Sequence, residues 1–213
     1  SRLPAEPVAD EILAAVCEGI HEALGFRNVL AVLRDPHGQL EPRAAVGWSL
    51  EDVQRSEPVF LREIEGLLDP EFETEGCFLL PSAEAQKRVL RRPRHTTDLN
   101  GSGPWAWNHH WLLVPLYDSL GEVIGILWAD EPEDRLLPSG DALQALRVFA
   151  NQASAAIVTS AHLRELRFLA DHDPLTRLLN RRAFVEHLDG EVARALRYDR
   201  SFSLVVCDLD DFK

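Results

Sequence analysis

Cysteine is scarce. Cys17, Cys77 and Cys207 are the only three in 213 residues. An odd number at wide spacing excludes a disulfide scaffold, and no pair has the spacing of a metal-ligand motif. Reduced thiols, some of them buried, are the expectation. Long apolar runs are absent too. None approaches the ~20 residues that cross a bilayer, and no signal-peptide pattern opens the chain. A cytoplasmic location is therefore expected, with any membrane anchor lying upstream of Ser1. Basic residues are in the minority: 22 Lys and Arg against 35 Asp and Glu give a formal charge of -13. That balance argues against nucleic acid or an anionic membrane as a partner of the whole surface. The exception is a cluster of Lys87, Arg88, Arg91, Arg92 and Arg94. It is either a solvated face or a contact for an acidic ligand or partner. Internal repeats and low-complexity segments are also missing.

What the sequence does contain is a hydrophobic content of 46%, enough for a packed core. The length suits one domain of ordinary size and part of another. Ser1 is not an initiator Met, and the chain stops just past a predicted strand, so both ends are expected to be cut.

The pattern of apolar residues orders the chain. Ile12, Leu13, Val16, Ile20 and Leu24 recur at helical spacing over Val8 to Leu24, with Gly25 as a stop. A strand-like run, Asn28 to Arg34, and a partner, Leu40 to Val46, flank the turn Asp35-Pro36-His37-Gly38. Leu50 to Leu90 is acidic, polar and partly helical, with a short apolar island at Cys77 to Leu80. Arg91 to Trp107 reads as a long loop, a place where function often sits. His110 to Leu116 and Val123 to Ala129 form a second predicted hairpin across Ser119-Leu120-Gly121-Glu122. A long helix then opens at Ser139, a good N-cap after Pro138. Its apolar residues, from Leu143 through Ala150 and Ile157 to Leu169, keep three-four spacing until Pro174. That is roughly 30 residues, or about 45 Å. A helix of this length with a seam of small residues suits pairing with a second copy, so a homodimer is expected. Pro174 ends it. A further helix is predicted over Leu178 to Tyr198, capped by Thr176 or Asp173. A last strand, Phe202 to Asp208, would place a carboxylate at a sheet edge, where ligands of open α/β sheets gather.

Two phrases near the end carry a family resemblance. Asp173-Pro174-Leu175-Thr176-Arg177-Leu178-Leu179-Asn180-Arg181-Arg182 resembles the D-x-L-T-x-L-x-N-R opening of the GGDEF, or diguanylate cyclase, family. Val205-Val206-Cys207-Asp208-Leu209-Asp210-Asp211-Phe212-Lys213 resembles its first strand. The resemblance implies Mg²⁺ held by Asp208 and the carbonyl of Leu209. It also implies GTP phosphates held near Phe212 and Lys213, and coupling of the two domains through Asp173, Leu175, Thr176, Asn180 and Arg181. Asp210 is expected to be structural, with a place on the metal or beside its ligands as the alternative. The family's G-G-[DE]-E-F loop does not occur in these residues, so they are expected to be inactive by themselves. The intact parent would condense two GTP into cyclic diguanylate and two pyrophosphates.

The preceding order of helix, hairpin, variable middle, hairpin and long helix resembles a GAF domain. Asn28 to Gly47, Leu99 to Leu116 and Gly121 to Ile157 carry the likeness, with Leu146-Arg147-Val148-Phe149-Ala150-Asn151-Gln152-Ala153 typical of the closing helix. The N-K-F-D-E signature of cyclic-nucleotide-binding GAF domains is not found. The expected fold class is α/β (α+β): a GAF-type antiparallel sheet flanked by helices, a long signalling helix, then an incomplete GGDEF α/β domain. The expected boundaries are 1–160, 161–172 and 173–213.

Around the central loop lie Cys77, His95, Trp105, Trp107, His109, His110 and Trp111. Cys77, Trp105, Trp107, His110 and Trp111 are the candidate lining of a small-molecule pocket. Simple packing and a metal or haem site are the alternatives, although adjacent histidines on a strand face opposite ways and rarely share one metal. For the parent, a binding module controlling a degenerate GGDEF domain or a downstream phosphodiesterase stands beside the cyclase reading.

Overall fold

The computed structural model describes residues 7–89 and 100–207. Helix α1 (Pro7–Leu24) leads into the hairpin β1 (Phe26–Arg34) and β2 (Gln39–Val46). The carboxylate of Asp35 shapes their turn by accepting from the amides of His37 and Gln39, both at 2.8 Å. The middle segment holds α2 (Leu50–Arg55), β3 (Val59–Phe60), α3 (Leu61–Ile64), two 3₁₀ turns, β4 (Glu73–Thr74), β5 (Cys77–Leu80) and α4 (Ser82–Arg88). The second hairpin is β6 (Trp111–Tyr117) and β7 (Val123–Pro132), followed by α5 (Gly140–Asp171) and α6 (Arg181–Tyr198).

The seven strands among the described residues form one antiparallel sheet in the order β3-β2-β1-β7-β6-β5-β4. The two hairpins meet at its centre, where β1 pairs with β7 from Phe26↔Pro132 to Leu33↔Gly125. Pro42 cannot donate to a ladder, and the β1–β2 register shifts where it faces Val32.

Alternation along the strands divides the core in two. On one face Leu13, Cys17 and Ile20 of α1 and Leu143, Leu146, Ala150 and Ile157 of α5 pack on Val29, Ala31, Val114, Leu127 and Ala129. Full burial of each large aliphatic side chain contributes about 1.5–3 kcal/mol. On the other face Val32, Leu40, Phe78, Trp111, Leu113 and Ile126 are covered by Ile64, Leu67 and Ala85 from the middle segment.

The chain divides into two compact units with the boundary between Ser160 and Ala161, inside α5. The Ser139 hydroxyl caps that helix, accepting from Ala142 N at 3.3 Å, and its 32 residues agree with the expected length. Two sequence expectations need correction. Helix α6 begins at Arg181 rather than Leu178, because Asn180 supplies the cap: its Oδ1 accepts from Ala183 N at 3.0 Å. The second concerns Phe202 to Asp208: its described part, up to Cys207, is not a strand. No described strand of this unit offers a ladder, and an unpaired strand gains neither hydrogen bonds nor a buried face. Val205 and Val206 are accordingly 80% and 85% exposed.

Candidate functional site

The sheet separates the residues proposed for one pocket. Cys77 lies on the α1/α5 face, where its thiol donates to the carbonyl of Leu143 at 3.4 Å. Trp107 is fully buried in the same cluster. Trp111 packs in the opposite cluster, and Trp105 is 74% exposed. His110 stays with Trp107, their ring centroids 5.5 Å apart. Its Nδ1 accepts from the amide of Asn108 at 3.0 Å, and burial pushes its pKa below the usual histidine value. His109 instead meets Asn100, with Nε2 3.2 Å from Nδ2. Among the described residues no three His, Cys, Asp or Glu side chains are grouped to hold a metal ion. His95, Arg91, Arg92 and Arg94 lie outside the described residues, while Lys87 and Arg88 of the same basic cluster both pair with Glu84 at 2.7 Å.

Burial pushes the thiol of Cys77 up to about 12, and the same cause does so for Cys17. A thiol held neutral is a poor nucleophile and a poor metal ligand.

A more coherent constellation lies on the face away from α1 and α5. Trp111 and Trp128 meet there at 5.6 Å between ring centroids, inclined by 46°. The Nε1 of Trp128 is buried and has no hydrogen-bond partner among the described residues. Alternation from Leu30 and Val32 on β1, and from Ile126 and Trp128 on β7, puts Asn28 and Asp130 on this face as well. The two are register partners. They are 7% and 1% exposed, an uncommon depth for an amide and a carboxylate. One Asp130 oxygen accepts from the amide of Glu131 at 2.8 Å. Gly47, at φ +81°, lies against the carbonyl of Arg27 and the Asn28 side chain, so closely that any Cβ would collide. This face thus brings together two indole rings, a buried indole N–H, a buried amide and a buried carboxylate. Planar apolar groups bearing both an acceptor and N–H donors match that chemistry.

Only Trp111 of this group was among the sequence candidates. Asn28, Trp128 and Asp130 were legible in principle, since polar Asn28 and Asp130 open and close apolar runs. Pairing them required the register of β1 against β7, two strands almost a hundred residues apart.

The second unit contains the joint expected around Pro174. Asp173 Oδ1 accepts from Leu175 N at 3.1 Å, Thr176 N at 2.8 Å and the Thr176 hydroxyl at 2.9 Å. Those bonds, the amide of Thr176 foremost, hold the Asp173 carboxyl below the usual aspartate range. Asn180 serves two helices. Its Nδ2 donates to the Ala170 carbonyl of α5 at 2.7 Å while its Oδ1 caps α6. Arg182 adds a bond to the same carbonyl at 3.1 Å and one to Asp171 at 3.0 Å. Leu175 is 90% exposed, and Arg181 is the first residue of α6. Asp208, Leu209, Phe212 and Lys213 lie outside the described residues.

A family model described as "GAF domain" matches residues 9–157, more than two thirds of the chain. The chain belongs to the GAF domain family. A second model, "Diguanylate cyclase, GGDEF domain", matches residues 170–213. A GAF domain is thus followed by a short stretch of GGDEF domain, the arrangement of a sensor region in a diguanylate cyclase-family protein. No curated protein matches the sequence. Solved structures do. The GAF domain of a phosphoenolpyruvate-protein phosphotransferase from Coxiella burnetii is 22% identical, with a TM-score of 0.53 over 76% of this chain and 89% of that one. The GAF domain of an Acinetobacter phosphoenolpyruvate-protein phosphotransferase is 20% identical, with a TM-score of 0.51 over 74% and 92%. A GAF/HD domain protein from Geobacter sulfurreducens is 15% identical, with a TM-score of 0.51 over 75% and 97%. At these identities the likeness establishes the GAF fold and nothing finer. No described helix is long and apolar enough to cross a membrane.

Proposed function

We propose that this chain is a ligand-responsive, dimeric sensor that sets the geometry of a diguanylate cyclase. The observation carrying the reading is α5: a single helix begins under the GAF sheet and ends at the joint that Asn180 caps from both sides. Residues 1–160 sense, 161–172 connect and 173–213 begin the catalytic domain.

In the intact parent two GTP molecules, one per GGDEF domain, condense to cyclic diguanylate. Each 3′-hydroxyl attacks the α-phosphorus of the other nucleotide, so the placement of the two subunits governs the rate. Asp208 and the Leu209 carbonyl would hold Mg²⁺, which offsets phosphate charge, and Phe212 and Lys213 would meet the phosphates. The 213 residues by themselves make no product.

Dimerisation runs through the exposed apolar side of α5. Leu163, Leu166 and Leu169 are 50%, 62% and 56% exposed at three-residue spacing. A second copy is the partner that such a seam suits. The ligand occupies the face of Trp111, Trp128, Asn28 and Asp130, and it acts by binding one helix arrangement more tightly than the other. Trp111 and Trp128 serve as its own reporters. A titrant carrying the proposed chemistry, a planar heterocycle with N–H donors, is expected to change tryptophan emission in the native chain and to leave Asp130→Asn unaffected. Equal responses from both chains would remove the site.

A further inference from the structure

Strand β5 is four residues long, yet it joins both layers of the sensor. Phe78 points into the cluster that holds Trp111, and it is register partner to Leu113 of the same cluster. Its neighbour Cys77 points the other way and bonds the Leu143 carbonyl of α5 at 3.4 Å. One residue earlier, the carbonyl of Gly76 accepts from Arg147 Nη1 at 3.4 Å. The same nitrogen donates to Pro115 of β6 at 2.7 Å, and Nε holds Asn151 one helical turn on at 3.0 Å. The guanidinium lies 5.6 Å from the Tyr117 ring centre, and its Nη2 is buried without a partner among the described residues. Gly76, at φ +73°, makes room: a Cβ there would lie 2.7 Å from Arg147 Cδ.

This arrangement differs from ordinary core packing in one respect. Apolar contacts let a helix slide, whereas a guanidinium fixed to a carbonyl of β6 and one of the β4–β5 turn has few alternative positions. A half-buried cation that loses those oxygens keeps part of its desolvation cost, so intermediate positions are disfavoured. On its outer side, among the described residues, β5 is flanked only by the two-residue β4, so it yields more readily than the central strands.

We propose that β5 is the lever linking the ligand face to α5, with Phe78 as its input and Cys77, Gly76 and the Arg147 clamp as its output. A ligand that displaces Phe78 moves Cys77 and Gly76 with it and changes how the sheet grips α5 at Leu143 and Arg147. Arg147 is a positioning residue in this scheme, acting on the helix and not on the ligand. The inference rests on the reading of the Trp111–Trp128 face as the ligand face.

The experiment uses N-ethylmaleimide labelling with peptide-level mass spectrometry, together with amide hydrogen exchange over α5, in the full chain. Cys17 is an internal control, being fully buried in the same layer as Cys77 but on α1. Phe78→Leu is expected to speed labelling of Cys77 about tenfold while leaving Cys17 unchanged, the signature of a local opening. Ile126→Val, on the same face but a central strand, should change neither. In an Arg147→Gln background, exchange of the α5 amides near Leu143 to Asn151 should no longer respond to Phe78→Leu. Equal acceleration at both cysteines, or no change at Cys77, overturns the lever. Should Phe78→Leu fail to fold, Arg147→Lys tests the clamp from the helix side: it should accelerate Cys77 alone, and unchanged labelling overturns it. Tryptophan titration reports the ligand face independently, so the lever and the site can fail separately.

Discussion

Cys17 and Cys77 share one apolar layer, and burial holds both thiols in the neutral form with pKa values up to about 12. Cys207 is exposed. Native-state alkylation near pH 8 is expected to modify Cys207 and spare the other two, which peptide mapping would read directly. The same burial couples stability to pH. An unfolded thiol ionises near 9.0, whereas the folded ones resist, so their contribution is intact below that value and fades as pH rises from 9.0 toward 12. The denaturation midpoint should fall across that window, and Cys17→Ala should flatten the slope. Asp173 has the opposite sense. Its depressed pKa means the turn is supported above the ordinary aspartate value, about 3.9, and loses that support as pH falls below it. Relative to the intrinsic exchange rate at each pH, protection of the Thr176 and Leu175 amides should fall in acid, and Asp173→Asn should remove the dependence.

At the scale of elements, Asn180 makes a sharp case. Replacing a good N-cap by Ala costs about 1 kcal/mol, and here the substitution also releases the Ala170 carbonyl of α5. Asn180→Ala is expected to fray both helix ends, seen as lost amide protection at residues 169–171 and 181–184, while Asn180→Asp keeps the α6 cap and loses only the α5 contact. The elements themselves were largely legible. Both long hairpins and α5 follow from period-2 and three-four apolar patterns broken by turn residues. The exact start of α6 was not, because Asp173, Thr176 and Asn180 are all competent caps and only the fold decides among them. Residues 202–207 have the β-branched and aromatic composition of a strand, but composition does not supply a pairing partner. For the site, Cys77 and Trp107 attracted notice as residue types near a loop. Strand alternation sends Cys77 to the face opposite Trp111, and Trp107, outside the strands, packs in the cluster of Cys77. Asn28 and Asp130 escaped notice since one polar residue at the end of an apolar run does not reveal its register partner.

At the scale of the whole molecule, the proposed function asks three things of one chain: a ligand against two indoles, a dimer along α5, and a joint that passes helix geometry onward. The seam is separable from the core, because Leu163, Leu166 and Leu169 are exposed while Leu143, Leu146 and Ile157 are buried. A Leu163→Glu/Leu166→Glu chain is therefore expected to stay folded by circular dichroism and to sediment as a monomer, and the unmodified chain is expected to sediment as a dimer. Loss of fold would place those residues in the core instead.

The most direct test of a dimeric, ligand-binding sensor is a native mass spectrum of the purified chain at micromolar concentration. The account expects twice the chain mass plus a small molecule, with that added mass lost in Asp130→Asn while the dimer persists. A bare monomer in the unmodified chain would contradict it.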